Sequence, residues 1–369
     1  MDLNDKMIVN GVVHALNGEK SNLTDMPVAA QFRDRIWLYH RKFSPDNEFR
    51  QSPEEYLRDH DVETVEHALF AESQCQMGVY HSTPIFDFFK DGLTRFEKGV
   101  ELKKRNPNRV LLYGRINFTD LPNAARDMED QVAQGADGFK FYPSMLYEGR
   151  TLEWRMDSPK EAFPLYEKAL ELGIRNIAVH KAHPFGPTTI TPFRVDDVEG
   201  AAAAFPEINF QVVHAGLAFV EETSLMLGRF PNVYGTLETT WSYLINHERL
   251  FAEAMAMLLH WGSVDKLIFA DSCSTQHSRP ALEKFASFQF PDDILEGWGI
   301  APLSDEDKLK ILGGNMLKLH DIDPARRLKE LEGDRWDVIK KTEGLRPPWS
   351  IVRGKHSAPS LVSEVRHAS

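Results

Sequence analysis

Short apolar runs alternate with amphipathic, helix-like stretches along most of this 369-residue chain. Several of the stretches open with helix start signals, such as Ser52-Pro53 and Ser158-Pro159. This alternation is typical of parallel β-α units, because a helix carries the chain from each strand to the next. Eight runs match the number of strands that closes a barrel, so the sequence predicts an α/β fold, the (β/α)8 TIM barrel. The predicted strands are residues 7–16, 67–71, 109–117, 138–142, 176–180, 209–214, 232–238 and 266–271.

Two segments do not fit the repeat. Residues 17–50 form a long polar insertion after strand 1 with scattered aromatic side chains, and we expect either a packed excursion or an active-site lid. Residues 331–369 contain Pro347-Pro348-Trp349 followed by small and polar residues, which predicts an extended arm or a partly disordered tail. The sequence therefore predicts one catalytic barrel domain over residues 1–330, with a lid-like insertion at 17–50 and a C-terminal extension.

Charge and composition exclude several classes of partner. The formal net charge of -12 repels phosphate backbones and anionic lipids, so we expect no nucleic acid and no membrane partner. No stretch approaches the roughly 20 apolar residues that span a bilayer, and residues 1–6 are too polar to begin a secretory signal. The two cysteines, Cys75 and Cys273, form neither a disulfide framework nor a Cys-x-x-Cys metal site. These features predict a soluble cytoplasmic protein.

Four polar residues directly follow apolar runs at the predicted strand ends, namely His14, His180, His214 and Asp271. His180 and His214 lie about one β-α unit apart, and His214 and Asp271 about two, so the residues are in phase with the repeat. Because the carboxyl ends of barrel strands carry the active site, we expect these side chains to converge. Imidazole and carboxylate groups bind zinc and similar divalent ions, which acidify a bound water. The pattern predicts a metal-dependent catalytic site.

Five short segments carry a resemblance to a known family: residues 138–143 (GFKFYP), 179–180 (VH), 213–216 (VHAG), 266–271 (KLIFAD) and 310–315 (KILGGN). Over about residues 7–323 the chain resembles the amidohydrolase superfamily, in its amidohydrolase-related branch, which includes aminocarboxymuconate semialdehyde decarboxylase and related hydrolases and decarboxylases. The resemblance implies that His14 and His180 bind the metal, that Asp271 is a ligand or a proton shuttle, and that His214 either supports the metal ligands from behind or is the catalytic histidine. It also implies a divalent metal (zinc, with manganese as the alternative), a small-molecule substrate and a homodimer.

The first strand departs from the family pattern Asp-x-His-x-His. The corresponding positions are Asn10, Val12 and His14, so a valine replaces one expected ligand. Loss of a ligand weakens metal binding unless another group fills the position. Glu238, which ends the seventh predicted strand, is the first candidate for this position, and Glu72, which follows the second, is the alternative.

Further residues near the strand ends are candidates for substrate binding. Lys140 ends the fourth strand, where its ammonium group suits a substrate carboxylate, unless it pairs with a neighbouring acid. Arg115 and Arg194 offer guanidinium groups for a carboxylate, although most arginines are solvated surface residues. His183 and His277 lie in loops that follow strands and are placed to reach a substrate.

Three functions are compatible with this predicted site. The first is a metal-dependent hydrolase that acts on a small carboxylated or cyclic substrate through metal-activated water, with His214 or Asp271 moving protons. The second is a metal-dependent non-oxidative decarboxylase or hydratase, because the same barrel can hold a carboxylate at the metal and protonate the carbon that loses carbon dioxide. The third is a non-catalytic, ligand-binding barrel, which Val12 leaves open.

Overall fold

The core of the fold is a parallel sheet of eight strands, which confirms the predicted barrel. The computed structural model describes residues 1–117, 120–147, 150–215 and 217–354. Strands β1 to β4 and β7 to β10 follow one another around the sheet, while β5 and β6 form a separate antiparallel hairpin. The strands are β1 (Val9–Val13), β2 (Met77–His81), β3 (Val110–Arg115), β4 (Gly138–Phe141), β5 (Ser144–Tyr147), β6 (Arg150–Glu153), β7 (Asn176–His180), β8 (Asn209–Val213), β9 (Val233–Thr236) and β10 (Leu267–Ile268).

The last barrel strand meets the first and brings the sheet close to a full circle. The Gly11 N–H donates to the carbonyl of Phe269 over 2.9 Å, and Val13 forms a parallel bridge with Cys273. A Cβ atom at position 11 would lie 2.8 Å from the Phe269 carbonyl oxygen, so this close approach requires glycine. Because all eight strands are parallel, their carboxyl ends meet at one rim.

The second strand lies later in the chain than the sequence predicts. Residues His67–Ala71 form a buried π-helical turn that continues the helix Val62–Glu66, and the strand is Met77–His81. A short apolar run that is buried on all sides fits a helix as well as a strand, so its periodicity does not distinguish the two. Glu72 consequently does not follow a strand, and His81 ends β2 instead.

Helices connect the strands and cover the outside of the sheet. The helix start predicted at Ser52 is confirmed, because the Ser52 side chain accepts from the Glu55 N–H while the Glu55 side chain accepts from the Ser52 N–H. No helix in the described ranges is both long enough and apolar enough to cross a membrane. The helices are α1 (Pro27–Phe43), α2 (Pro53–Tyr56), α3 (Val62–Glu66), α4 (Phe96–Arg105), α5 (Leu121–Ala133), α6 (Phe163–Glu171), α7 (Asp196–Ala204), α8 (Val220–Arg229), α9 (Tyr243–Asn246), α10 (Glu248–Trp261), α11 (Ser278–Ser287), α12 (Asp292–Trp298), α13 (Asp305–Leu309), α14 (Asn315–Leu319), α15 (Pro324–Leu331) and α16 (Arg335–Glu343).

Alternate residues of each strand face two different apolar layers. In and just after β10, Leu267 and Phe269 pack against the outer helices, whereas Ile268 and Ala270 belong to the cluster inside the barrel. Side chains of α14 join that inner cluster. Successive side chains point to opposite faces of the strand, so a shift of one residue moves a side chain from one face to the other. This alternation decides which residues beyond a strand end can reach the rim.

The insertion after β1 is packed. Its long helix, α1, contributes Ala29 to a buried cluster with Phe88 and Phe89, and Phe32 stacks near Phe88 with ring centroids 4.8 Å apart. Helix α1 thus lies beside the carboxyl-terminal rim of the barrel.

The C-terminal extension packs on its own barrel in place of the arm or tail that the composition predicts. Trp336 and Trp349 are 2% and 1% exposed. The buried carboxylate of Glu72 accepts from the backbone N–H groups of Trp349 and Ser350 at 2.6 and 2.9 Å. These contacts concern residues 331–354, because residues 355–369 lie outside the described part of the chain.

Candidate active site

A cavity of about 190 Å³ opens at the carboxyl ends of the barrel strands. Residues from four different strand ends line it, namely His14, Lys140, His180 and Glu238. This is the end of the barrel at which enzymes of this fold carry their active sites.

Helix α1 forms one wall of the cavity. The residues that face it recur at the i, i+3, i+4 and i+7 spacing of a single helix face, and they are Phe32, Arg35, Ile36 and Tyr39. Tyr39 also approaches His183, with ring centroids 6.0 Å apart. The insertion therefore contributes side chains directly to the site.

Three histidines converge on one side of the cavity. Candidate ligand atoms of His180, His183 and His214 all lie within 4.8 Å of one another, and they form the one such histidine, cysteine or carboxylate group found in the described ranges. His180 ends β7 and pairs in register with Val213 of β8. His214 directly follows Val213, so it lies next to His180 at the rim. His183 follows in the loop after β7.

Hydrogen bonds fix the orientation of His180 and His214. The Nε2–H of His180 donates to the His183 carbonyl at 2.7 Å, which leaves Nδ1 as the acceptor of a neutral ring. Burial keeps His180 neutral, because it lowers its pKa well below the usual value. The free Nδ1 of His180 faces Nε2 of His214 at 3.2 Å. Two nitrogen lone pairs at this distance repel unless a proton or a metal ion lies between them.

Glu238 holds the other nitrogen of His214. The Nδ1–H of His214 donates to the Glu238 carboxylate, which also accepts from Ser272 at 2.5 Å and from Thr239 at 2.7 Å. Burial raises the pKa of Glu238, but the interaction with His214 and these hydrogen bonds outweigh burial and hold the pKa well below its usual value. A carboxylate in this position fixes the tautomer of a metal-binding histidine.

An unusual backbone conformation turns His214 into the site. Val213 and His214 both line the cavity, although adjacent residues of a regular strand point to opposite faces. His214 has a φ of 75°, in the left-handed region that costs a residue with a Cβ atom about 1–3 kcal/mol. Ala182, Thr239 and Ser272 around the same rim also have positive φ values. Such strain clusters at functional sites.

His14 and Lys140 present the remaining polar groups. The Nδ1–H of His14 donates to the His81 carbonyl at 2.8 Å, which leaves Nε2 as the ring nitrogen without a partner in the described chain. Burial lowers the pKa of His14 to about 4 and that of Lys140 to about 7. Among the described residues no acid forms an ion pair with the Lys140 ammonium group, although the charge of Glu238 attracts it, and it lies 5.6 Å from the centre of the Tyr142 ring.

Comparison with known families identifies the scaffold. Residues 37–322 match the Amidohydrolase family. The chain belongs to the amidohydrolase family. The match begins after β1, so it leaves out the strand end that carries His14. A comparison with curated proteins gives no match.

Solved structures with the same fold have low sequence identity to this amidohydrolase. An uncharacterised TIM-barrel protein from Bordetella bronchiseptica has a TM-score of 0.58 at 16% identity, over 88% of this chain and 99% of its own. A manganese complex of 5-carboxyvanillate decarboxylase from Novosphingobium aromaticivorans has a TM-score of 0.53 at 12% identity, over 87% and 100%. A dihydroxybenzoic acid decarboxylase from a Polaromonas species, with manganese and 2-nitroresorcinol, has a TM-score of 0.52 at 15% identity, over 88% and 99%.

Family membership makes this amidohydrolase an enzyme. The third function considered from the sequence, a non-catalytic barrel, is thereby set aside.

The structure does not bring Asp271 to the cavity of this amidohydrolase. Its side chain follows the outward alternation of Leu267 and Phe269, and the next residue, Ser272, is the one that lines the cavity. Asp271 Oδ1 accepts from the Asn10 side chain at 2.5 Å, while Oδ2 is buried without a hydrogen-bond partner among the described residues. Burial raises the pKa of Asp271 to about 7.

Three predicted substrate-binding residues of this amidohydrolase lie away from the cavity. Arg115 pairs with Asp127 at 3.1 Å. Arg194 is 45% exposed and pairs with Glu222 on the outer surface. His277 is buried against Trp349 and pairs with Glu72 at 3.2 Å. Glu72, the alternative candidate for the metal ligand, is therefore bound to His277. Each of these side chains is bound to another residue and does not extend to the cavity. Their positions near strand ends in the sequence wrongly suggested that they would.

Two tyrosines of this amidohydrolase were missed from the sequence. Tyr39 and Tyr56 line the cavity, and their buried hydroxyl groups make no hydrogen bond of normal geometry with a described residue. Burial raises the pKa of both side chains, so each remains a hydrogen-bond donor. Both belong to helices that precede β2, and only the helical spacing of residues 32, 35, 36 and 39 would have indicated a cavity-facing stripe.

Proposed function

We propose that this chain is a metal-dependent hydrolase whose cation is held by His180, His183 and His214. The observation that carries the proposal is the 3.2 Å approach of His180 Nδ1 to His214 Nε2, with the second nitrogen of each ring committed elsewhere. Ligand atoms about 2.0–2.1 Å from a tetrahedral zinc ion lie roughly 3.4 Å apart, so this spacing fits the donor pair. Three protein ligands leave a fourth position open, as in catalytic zinc sites.

We propose zinc as the metal. An all-imidazole donor set suits zinc, whereas manganese favours carboxylate and water oxygens. The carboxylate of Glu238 is occupied by His214, Ser272 and Thr239, so it orients a ligand in this proposal and does not coordinate the ion.

Two side chains would carry the remaining chemistry. When bound, a divalent cation would polarise a substrate carbonyl and acidify a water molecule. His14 is neutral at pH 7, and its Nε2 can take the proton from the attacking water and return it to the leaving group. Lys140, which forms no ion pair among the described residues, binds a substrate carboxylate.

The dimensions of the cavity limit the substrate. Its volume of about 190 Å³ exceeds the roughly 150 Å³ in which a benzene molecule fits, so it accommodates one ring with a few substituents. Apolar side chains such as Ile36 and Phe185 line it beside the polar groups. The substrate class is therefore a small monocyclic carboxylate with a hydrolysable bond.

Decarboxylation is the second candidate, and Lys140 favours it. A buried amine with a pKa of about 7 can donate the proton that replaces a departing carboxylate. Hydrolysis incorporates oxygen from water into the product, whereas decarboxylation releases carbon dioxide. Turnover of lactone, amide and hydroxybenzoate panels in oxygen-18 water distinguishes the two reactions.

The metal site is tested without a known substrate. We expect protein purified without added metal to contain zinc, and His180→Asn and His214→Asn to lose it. His260→Asn, on the surface at the end of α10, is the matched control and should retain the metal. Less than about a tenth of an equivalent of bound metal, with no uptake on titration with zinc or manganese, would contradict the proposal.

We also propose a lid, a homodimer and a cytoplasmic location. The α1 wall of the cavity supports a lid role for part of residues 17–50. The exposed apolar side chains Leu225 and Trp261, on the neighbouring helices α8 and α10, support self-association. Buried free thiols at both cysteines support a reducing compartment. Light scattering at several protein concentrations tests the dimer.

A further inference from the structure

A buried ion pair lies at the start of the loop that follows His180 of β7 and contains His183. Lys181 Nζ lies 2.6 Å from Asp197 Oδ1, and the two side chains are 0% and 4% exposed. Lys181 stands between the two histidines in the chain, and Asp197 belongs to the first turn of α7. The pair is outside the set of cavity-lining residues, so it does not touch a substrate there.

The pair connects both ends of this loop to the barrel's outer layer. Lys181 Nζ also donates to the Pro192 carbonyl at 2.8 Å, and Asp197 Oδ2 accepts from the Met156 N–H at 2.9 Å. Residues 181 and 192 are thereby held together across the loop, and the Ala182 N–H donates to the Phe193 carbonyl at 2.7 Å beside them.

The loop conformation sets the histidine geometry. Ala182 has a φ of 61°, a left-handed conformation that alanine does not adopt without external constraint. This turn directs the His183 carbonyl back to His180 Nε2 and brings the His183 ring to the cluster. If the turn relaxed, His180 would lose the hydrogen bond that leaves its Nδ1 free.

A buried ion pair is a poor source of stability, because desolvation of both charges offsets most of their attraction. The placement of the pair beside a strained turn between two histidines gives it a different role.

We propose that Lys181 and Asp197 are positioning residues that hold His180 and His183 in metal-binding geometry. This inference rests on the proposed metal site, because it assigns the pair's effect to the affinity for the ion. The pair acts through the turn at Ala182 and contacts neither metal nor substrate.

The double variant Lys181→Met/Asp197→Asn tests the role. It removes both charges together, whereas a single change would leave one charge buried alone and endanger folding. Asparagine still accepts from the Met156 N–H. The matched control is Arg109→Met/Asp334→Asn, which removes a 2.6 Å pair at the opposite end of the barrel, where Arg109 is 2% exposed.

Two measurements separate positioning from general stability. The first is the zinc dissociation constant by chelator competition, which we expect to rise by about 10–100-fold in the double variant and to stay unchanged in the control. The second is the nuclear magnetic resonance signal of the His180 Nε2–H in metal-free protein, which we expect to be lost in the double variant and retained in the control. Unfolding free energies of both double variants show how much stability each pair contributes.

Wild-type zinc affinity or an unchanged Nε2–H signal in the double variant would overturn the inference. If wild-type protein binds no metal, the proposed function is wrong, and the Nε2–H signal alone then decides whether the pair positions the loop. Equal losses in the control variant would show a general structural effect and would also overturn it.

Discussion

The side chain of Asn10 donates to Asp271 Oδ1 at 2.5 Å and holds this carboxyl group on the outer side of the strand ends, away from the cavity. The neutral amide of Asn10 donates to the carboxyl group without adding a second acid beside it. The strand-end aspartate that the sequence ranks as catalytic thus has a structural partner.

Asp271→Asn should therefore keep its metal and gain stability at alkaline pH. The pKa of Asp271 is about 7 in the folded protein, above its ordinary 3.8, so folding takes up a proton between these values and stability falls as the pH rises from about 4 to 7. Asparagine removes this penalty, and we expect a gain of roughly 1–4 kcal/mol at pH 8 and a smaller slope below it. Urea unfolding across this pH range measures both.

Asp34→Asn, at a residue whose side chain is 71% exposed, is the control and should change neither quantity. Loss of bound metal in Asp271→Asn would show that the aspartate turns into the cavity when the ion binds, contrary to the position described here.

Glu238→Gln should weaken metal binding without removing the site. Ser272 donates to Oε1 of Glu238 and Thr239 to Oε2, so glutamine keeps one of these two acceptors and lacks the charge that orients His214 Nδ1–H. Loss of such a partner reduces metal affinity by about 10–100-fold, which chelator competition measures. Glu222→Gln, on the surface beside Arg194, should have wild-type affinity. Equal affinities for both variants would mean that His214 is not a ligand.

The barrel and half of the site were predictable because they depend on periodicity. Apolar runs separated by helices fix the order of the strands. The predicted site residues that line the cavity are His14, Lys140, His180, His183, His214 and Glu238. The prediction assumed that any polar residue ending a run reaches the rim. The alternation of side chains along the strand directs Asp271 away from the cavity, whereas a positive φ turns His214 into it. Neither backbone feature can be read from the order of apolar and polar residues.

The remaining errors have a common cause, which is that partners distant in sequence decide where a side chain goes. Arg115 is held by Asp127, and His277 is held by Glu72 and Trp349. The buried run His67–Ala71 is helical because it continues α3, a tertiary effect that a short apolar window does not contain.

Lys140→Met should weaken substrate binding and change the pH dependence of stability. The pKa of Lys140 is about 7 in the folded protein and 10.5 in the unfolded chain, so between these values the folded protein binds fewer protons. The free energy of unfolding of the wild type therefore rises with pH in this window, and the variant should lack this rise. For a carboxylate substrate, loss of a charged hydrogen bond worth about 1.5–3 kcal/mol raises KM by roughly 10–100-fold. Wild-type KM should also rise above pH 7, as the ammonium group loses its proton.

Lys104→Met, at an exposed position of α4, is the matched substitution and should leave KM and the stability slope unchanged. A wild-type KM in Lys140→Met would assign the substrate carboxylate to another group.

Trp349→Ala should destabilise the protein strongly at every protein concentration. Trp349 is 1% exposed, its indole N–H donates to the Phe49 carbonyl at 2.6 Å, and its backbone N–H binds Glu72. Truncation of a buried tryptophan costs about 3–5 kcal/mol.

Trp261→Ala, at a residue that is 53% exposed, should cost far less in dilute protein. Because Trp349 packs on its own barrel, its contribution to the unfolding free energy should be independent of concentration, whereas an arm reaching to a partner would make the loss vanish on dilution.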